Sequence, residues 1–189
     1  MTARRPDLPY QDYVAAEAIS LEKHEFLRGE VFAMAGGTPE HGRLAASMIG
    51  ELRAALRSHP CAVFSSDVRV RVEATDLSTY PDASVVCGQL QTAAADAQSV
   101  VNPVLLVEVL SDSTEAHDRG EKFAHYRRIP SLREYVLVSQ RQKRIEVFRK
   151  KDDGEWSLAE AGADERLRVL DVSIEVNEVY RDPLAPAKS

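Results

Sequence analysis

Cysteine is scarce in this chain: Cys61 and Cys87 are the only two among 189 residues. Two thiols cannot build a disulfide framework or a zinc cluster, and the expectation is a pair of half-buried thiols in a reducing cytoplasm. Long apolar runs are also missing. None approaches the roughly 20 residues of a membrane span, so no membrane association is expected. The first residues, MTARRPDLPYQDY, carry arginines with no apolar stretch behind them, which argues against a secretory signal and for a cytoplasmic location. Internal repeats and low-complexity tracts are absent as well. Net positive charge is lacking too: the formal charge is -6, whereas nucleic-acid-binding domains usually carry a basic footprint.

What remains is the composition of an ordinary globular protein, 44% hydrophobic and 29% charged. That is too apolar for a disordered chain. The length suits one substantial core, so a single domain over 1–189 is expected.

The charge average conceals a segregation. Residues 117–151 hold eleven basic and four acidic side chains, a local +7, and the rest of the chain sums to -13. A run of this kind is most often a solvated helix and hairpin. The other reading is an electrostatic patch for phosphates on an acidic protein.

Periodicity divides the chain into short elements. A helix is expected over 10–18, entered through Pro9. Strands over 24–27 and 31–34 should turn at Arg28-Gly29, where glycine supplies a positive φ. Thr38-Pro39 caps a helix in which Leu44, Met48 and Leu52 recur at helical spacing, until His59-Pro60 stops it. The period then changes to two: Val68, Val70 and Val72 alternate with Arg69, Arg71 and Glu73, which predicts a strand with one wet face. Further strands are expected over 82–87 and 104–110, separated by an Ala/Gln-rich connection. The second is apolar almost throughout and reads as a central strand covered on both faces. Asp118 and Glu121 resemble an acidic capping box opening a helix that Pro130 ends. A hairpin over 134–139 and 144–149 follows, then one or two last strands and a short helix near 175–180. The order describes an α/β or α+β fold with a mixed sheet.

Glu108 is the anomaly in this pattern. A carboxylate inside Val104-Leu105-Leu106-Val107-Glu108-Val109-Leu110 is costly to bury. It is either protonated, paired with one of the many arginines, or placed where the sheet opens onto a cation. Asp82, after Pro81 at the mouth of the preceding apolar strand, is separated from Glu108 by enough chain to return as the adjacent strand. Two carboxylates on neighbouring strands repel unless a proton or divalent cation lies between them. Oxygen-only ligands suit Mg²⁺ or Mn²⁺, with water completing the shell. Lys122, beside Phe123 and Tyr126, sits on a helix face directed at the sheet. Its ordinary explanations are snorkelling or an i,i+4 pair with Asp118. Asp118 reads as a helix cap rather than a ligand.

Together these strings carry a resemblance. Tyr80-Pro81-Asp82, Val107-Glu108-Val109-Leu110-Ser111, the run from Asp118 through Lys122 to Tyr126, and Ser131-Leu132-Arg133-Glu134-Tyr135-Val136-Leu137-Val138 resemble a large bacterial family of restriction-endonuclease-like proteins, common in cyanobacteria and actinobacteria. That family belongs to the PD-(D/E)xK nuclease superfamily. The likeness extends upstream through Gly29-Glu30-Val31 and Thr38-Pro39-Glu40-His41, and so covers nearly the whole chain.

The resemblance implies a mixed-sheet core of αβββαβ type flanked by helices, with an added N-terminal hairpin, and a divalent-metal phosphodiesterase site. Asp82 and Glu108 would bind Mg²⁺ or Mn²⁺ and a lysine would assist the attacking water. The superfamily places that lysine two residues after the acid, where this chain has Leu110. In this family it looks relocated to the following helix, which points to Lys122. Glu30 and His41 match family positions as supporting residues. The expected partner is nucleic acid, DNA in the first place, and the expected assembly a homodimer. Two competing readings stand beside it: a nuclease-fold protein serving as a binding or assembly module, and a metal-dependent hydrolase of a small phosphoester. No recognition helix or zinc module for base readout is visible.

Overall fold

The alternating and apolar runs assemble into two six-stranded sheets and a small two-stranded ribbon. The computed structural model describes residues 7–34 and 36–185; the arginine-bearing start 1–6, Ala35 and 186–189 lie outside the described residues. Helix α1 (Tyr10–Glu17) precedes the hairpin of β1 (His24–Leu27) and β2 (Glu30–Ala33). The two turn residues, Arg28 and Gly29, both have positive φ, 49° and 84°, the form whose twist matches the paired strands. Glycine is needed there for a second reason, since a Cβ on Gly29 would lie 2.9 Å from Asp7 Cα.

Helix α2 (Pro39–Ala55) begins as expected, with the Thr38 hydroxyl accepting the His41 amide hydrogen. Its apolar stripe of Leu44, Met48 and Leu52 is fully buried, each side chain worth about 1.5–3 kcal/mol. The chain continues through β3 (Cys61–Ser65), β4 (Arg69–Val72), β5 (Leu77–Thr79), β6 (Ala83–Cys87), β7 (Thr92–Ala93), β8 (Asp96–Val100) and β9 (Leu105–Leu110). A helical crossover follows: α3 (Glu115–His117), a π turn (Asp118–Lys122) and α4 (Phe123–Tyr126). Strands β10 (Glu134–Ser139), β11 (Arg144–Lys150), β12 (Trp156–Gly162), β13 (Arg166–Val169) and β14 (Val172–Glu175), then α5 (Val176–Val179), complete it.

The first sheet has the order β12-β11-β10-β9-β6-β3. Within it β9 and β10 are parallel, and the other pairs are antiparallel. The helical crossover is what a parallel pair requires. Strand β9 is central and buried along its whole length, as its unbroken apolar run predicts. Leu105, Val107 and Val109 face α2, while Leu106 and Leu110 face a second cluster containing Tyr126, Ile129 and Leu132. By alternation Glu108 belongs to that second face. The other sheet, β2-β1-β5-β4-β8-β7, contributes Val70, Val72 and Leu77 to the same cluster. Glu108 therefore faces the space between the two sheets.

Four expectations are corrected. The wet face of β4 is covered, leaving Arg69 4% and Arg71 8% exposed. Arg69 pairs with Asp96 at 2.9 Å and donates to Tyr80, and the Arg71 guanidinium lies 3.7 Å from the Tyr10 ring centroid. The alternation was real, but α1 and a buried acid replace water on that side. The Ala/Gln-rich connection supplies that acid, because it folds into β7 and β8. Cys61 and Cys87 stand opposite one another on β3 and β6 and are joined as a disulfide. Register brings together two residues that spacing could not pair. Finally, Asp118 caps nothing: the crossover starts after Thr114, and Asp118 lies inside it, 3% exposed.

Candidate active site between the two sheets

Asp82 and Glu108 meet because of strand pairing. The pair Ala83↔Val107 ends the β6–β9 ladder, and Asp82 and Glu108 are the next residues on each strand. Asp82 is held by backbone: its Oδ2 accepts the Val109 amide hydrogen at 2.7 Å. The same oxygen lies 3.3 Å from Nε2 of His41, which the first turn of α2 directs at it. Glu108 is held by side chains. Its Oε1 accepts from the Tyr126 hydroxyl at 2.7 Å and lies 3.0 Å from the Lys122 ammonium.

Lys122 enters through the π turn, a local widening often found at functional sites. The turn brings both Asp118 and Lys122 inward. The ammonium has three carboxylates around it: Glu108 at 3.0 Å, Glu25 at 3.4 Å and Asp118 at 3.7 Å. Lys122 thus brings a cation to Glu108 on the face of β9 that also carries Leu110.

Glu25 was not singled out by the sequence. The available signal was alternation in β1, where a buried Phe26 leaves Glu25 and Leu27 on the opposite face. The hairpin acid that was singled out, Glu30, opens β2 opposite Leu27 and is half-buried. It is Glu25 whose carboxylate reaches Lys122.

The electrostatics are unbalanced. Glu25, Glu108 and Asp118 face one ammonium, and Asp82 faces the His41 imidazole. Burial, reinforced by Asp82 and Asp118 and opposed by Lys122 and Tyr126, pushes the Glu108 carboxyl up to about 8. Burial also raises Asp118, against the pull of Lys122. Burial works against the charge on Lys122, but Glu108, Glu25 and Asp118 outweigh it and hold the ammonium above its ordinary range. The hydrogen bond to Asp82 raises His41. The cluster thus calls for further positive charge, met by a proton or by a cation.

That demand is the test of fit for a divalent metal. Asp82 and Glu108 offer only oxygen, suited to Mg²⁺ or Mn²⁺, which need one or two carboxylates and retain waters. Among the described residues no group of three or more His, Cys, Asp or Glu forms a metal cage, so a bound ion would rely on water or substrate for most of its shell.

The basic run is largely spent internally. Arg119, Lys122, Arg141, Arg144, Arg149 and Lys151 all pair with acids. Arg127, Arg128 and Arg133 are exposed around the turn after α4. None of the described helices is long and apolar enough to cross a membrane.

Comparison with known proteins places this geometry in context. Residues 10–177 match the model of the Uma2 family, described as "Putative restriction endonuclease". An uncharacterized protein of Synechocystis sp. is 34% identical over 188 residues, covering 96% of this chain and 98% of that protein. A second uncharacterized protein of the same organism is 34% identical over 149 residues, 79% of this chain and 84% of its own length. A crystal structure described as a "putative nuclease belonging to DUF820" from Anabaena variabilis superposes with a TM-score of 0.68, over 85% of this chain and 91% of that one. At 14% identity it shows the shared fold. With the family match running from α1 to α5, the chain belongs to the Uma2 family of restriction-endonuclease-like proteins.

Proposed function

We propose that the protein is a metal-dependent endonuclease that hydrolyses phosphodiester bonds of nucleic acid, DNA in the first place, and works as a homodimer. The observation that carries this reading is Lys122 on Glu108 at 3.0 Å, beside Asp82 on the neighbouring strand. A lysine from the crossover helix thereby joins the two acids despite Leu110. Asp82 and Glu108 would hold Mg²⁺ or Mn²⁺, which supplies a polarised phosphoryl oxygen and a water of lowered pKa.

The protein's own groups do the rest. The Val109 amide and the Tyr126 hydroxyl fix the two carboxylates in place, limiting the reorganisation needed during reaction. Lys122 stabilises negative charge developing on the phosphoryl oxygens. His41, partly exposed beside Asp82, keeps a proton at Nε2 and orients that carboxylate.

Titration with Mn²⁺ by calorimetry, alongside plasmid cleavage, tests the reading on wild type and Asp82→Asn. Metal binding and nicking in the wild type, both lost in the variant, are expected. No binding at millimolar metal would remove the nuclease reading. It would favour the binding-module alternative, which draws support from the ammonium already resting on Glu108. Light scattering at increasing concentration checks the dimer.

A further inference from the structure

We infer that Glu25 is the positioning residue of Lys122, so the second sheet helps set the geometry of a site whose acids belong to the first. The inference deepens the phosphodiesterase reading and rests on it for its kinetic part alone.

Strand β1 sets the direction of Glu25. Phe26 is 1% exposed and packs on the α1 side, its ring 5.3 Å from Tyr10 and 5.1 Å from Tyr13. Alternation then sends Glu25 and Leu27 the other way, and Leu27 packs against the cluster that surrounds the crossover helix. Strand β5 pairs with β1 through Phe26↔Ser78 and Leu27↔Leu77, which puts Thr79 beside Glu25. The Thr79 hydroxyl donates to Glu25 Oε1, the same oxygen that faces Lys122. The carboxylate is thus anchored from a neighbouring strand and is not free to swing into water.

An ammonium has three donors on a flexible four-carbon stem. Here three carboxylates surround it. Asp118 shares its helix, Glu108 is a candidate metal ligand, and Glu25 alone comes from the second sheet. Glu25 therefore restrains the lysine independently of whatever binds Asp82 and Glu108. Among the described residues Lys122 is the only buried lysine, which makes it separable from the others by spectroscopy.

The test uses full-length protein labelled with ¹⁵N-lysine. The Lys122 ammonium resonance, assigned by its loss in Lys122→Met, should exchange hydrogen slowly in the wild type. Glu25→Gln should speed that exchange about tenfold, the effect of losing one of the three carboxylate charges that face the ammonium. Thr79→Val, which only loosens the anchor, should give a smaller change in the same direction. Exposed Glu22→Gln should give none. In the cleavage assay Glu25→Gln should lower kcat by about 10- to 100-fold with KM nearly unchanged, and Mn²⁺ affinity should stay at the wild-type value. Unchanged lysine exchange in both Glu25→Gln and Thr79→Val would overturn the inference. So would a loss of Mn²⁺ affinity with lysine exchange intact, which would make Glu25 a ligand. A wild type that binds no metal and cleaves nothing would defeat the phosphodiesterase reading, while the exchange measurement would still decide the role of Glu25.

Discussion

The molecule buries charge in two places, and it does so in opposite ways. On the outer face of the second sheet, Arg69 and Asp96 form a pair at 2.9 Å. Tyr80 and Gln98 accept from Arg69, while Tyr10, Ser99 and the Gln98 amide donate to Asp96. Burial pushes the Asp96 carboxyl up, but the donors from Ser99, Gln98 and Arg69 outweigh it and leave it below its ordinary value. Between the sheets Glu25, Glu108 and Asp118 face the single ammonium of Lys122, and Glu108 is raised to about 8. A balanced buried pair holds structure together. An unbalanced cluster retains a demand for charge that a ligand can meet.

Arg69→Met should give the largest loss of stability, about 3–5 kcal/mol, because it leaves Asp96 buried without its cation. Denaturant unfolding measures it, and Mn²⁺ affinity should be unchanged. Glu108→Gln should do the reverse, lowering cleavage about 10²–10³-fold with no loss of unfolding free energy, because Lys122 keeps Glu25 and Asp118 beside it. A large destabilisation there would make Glu108 a structural residue and erase the contrast between the two regions.

Reduction of Cys61–Cys87, which closes a loop of sequence separation 26, should cost about 3 kcal/mol. Melting with and without reductant reads it, and thiol counting under denaturing conditions establishes the pairing.

In pH dependence the two regions carry opposite signs. The lowered Asp96 contributes stability that is present above 3.8, its ordinary value, and fades as pH falls through its lower folded value. The raised Glu108 contributes stability that is full below 4.5 and is lost as pH climbs through about 8. Metal-free wild type should therefore weaken at both ends of that range. Glu108→Gln should abolish only the alkaline loss, and added Mg²⁺ should diminish it.

Much of the frame was legible in the chain. The Thr38 cap, the Arg28-Gly29 turn and the buried run around Glu108 each depend on neighbours within a few positions, so local chemistry states them. Asp82, Glu108 and Lys122 were singled out because each is costly in its local setting. His41 and Glu30 could be named only by resemblance, and the structure brings His41 to Asp82. Glu25 escaped notice because a glutamate in a short hairpin strand is ordinary until something lies across from it. Asp118 was misread for a related reason: an acid near the start of a helix is usually a cap, and only the π turn shows it pointing inward.

By itself the sequence determined where the helix and strands that carry His41, Asp82 and Glu108 lie, which of their faces are apolar and which acids are anomalous, because steric preference, capping and side-chain alternation act over one or two turns of chain. Which charge meets which was left to the tertiary structure. The joining of Cys61 to Cys87, the burial of Arg69 on Asp96, and the gathering of Glu25, Asp118 and Glu108 on Lys122 all follow from strand register and sheet packing. Those are settled by the burial of the whole core, where shifting a strand by one residue would turn every side chain to the opposite face.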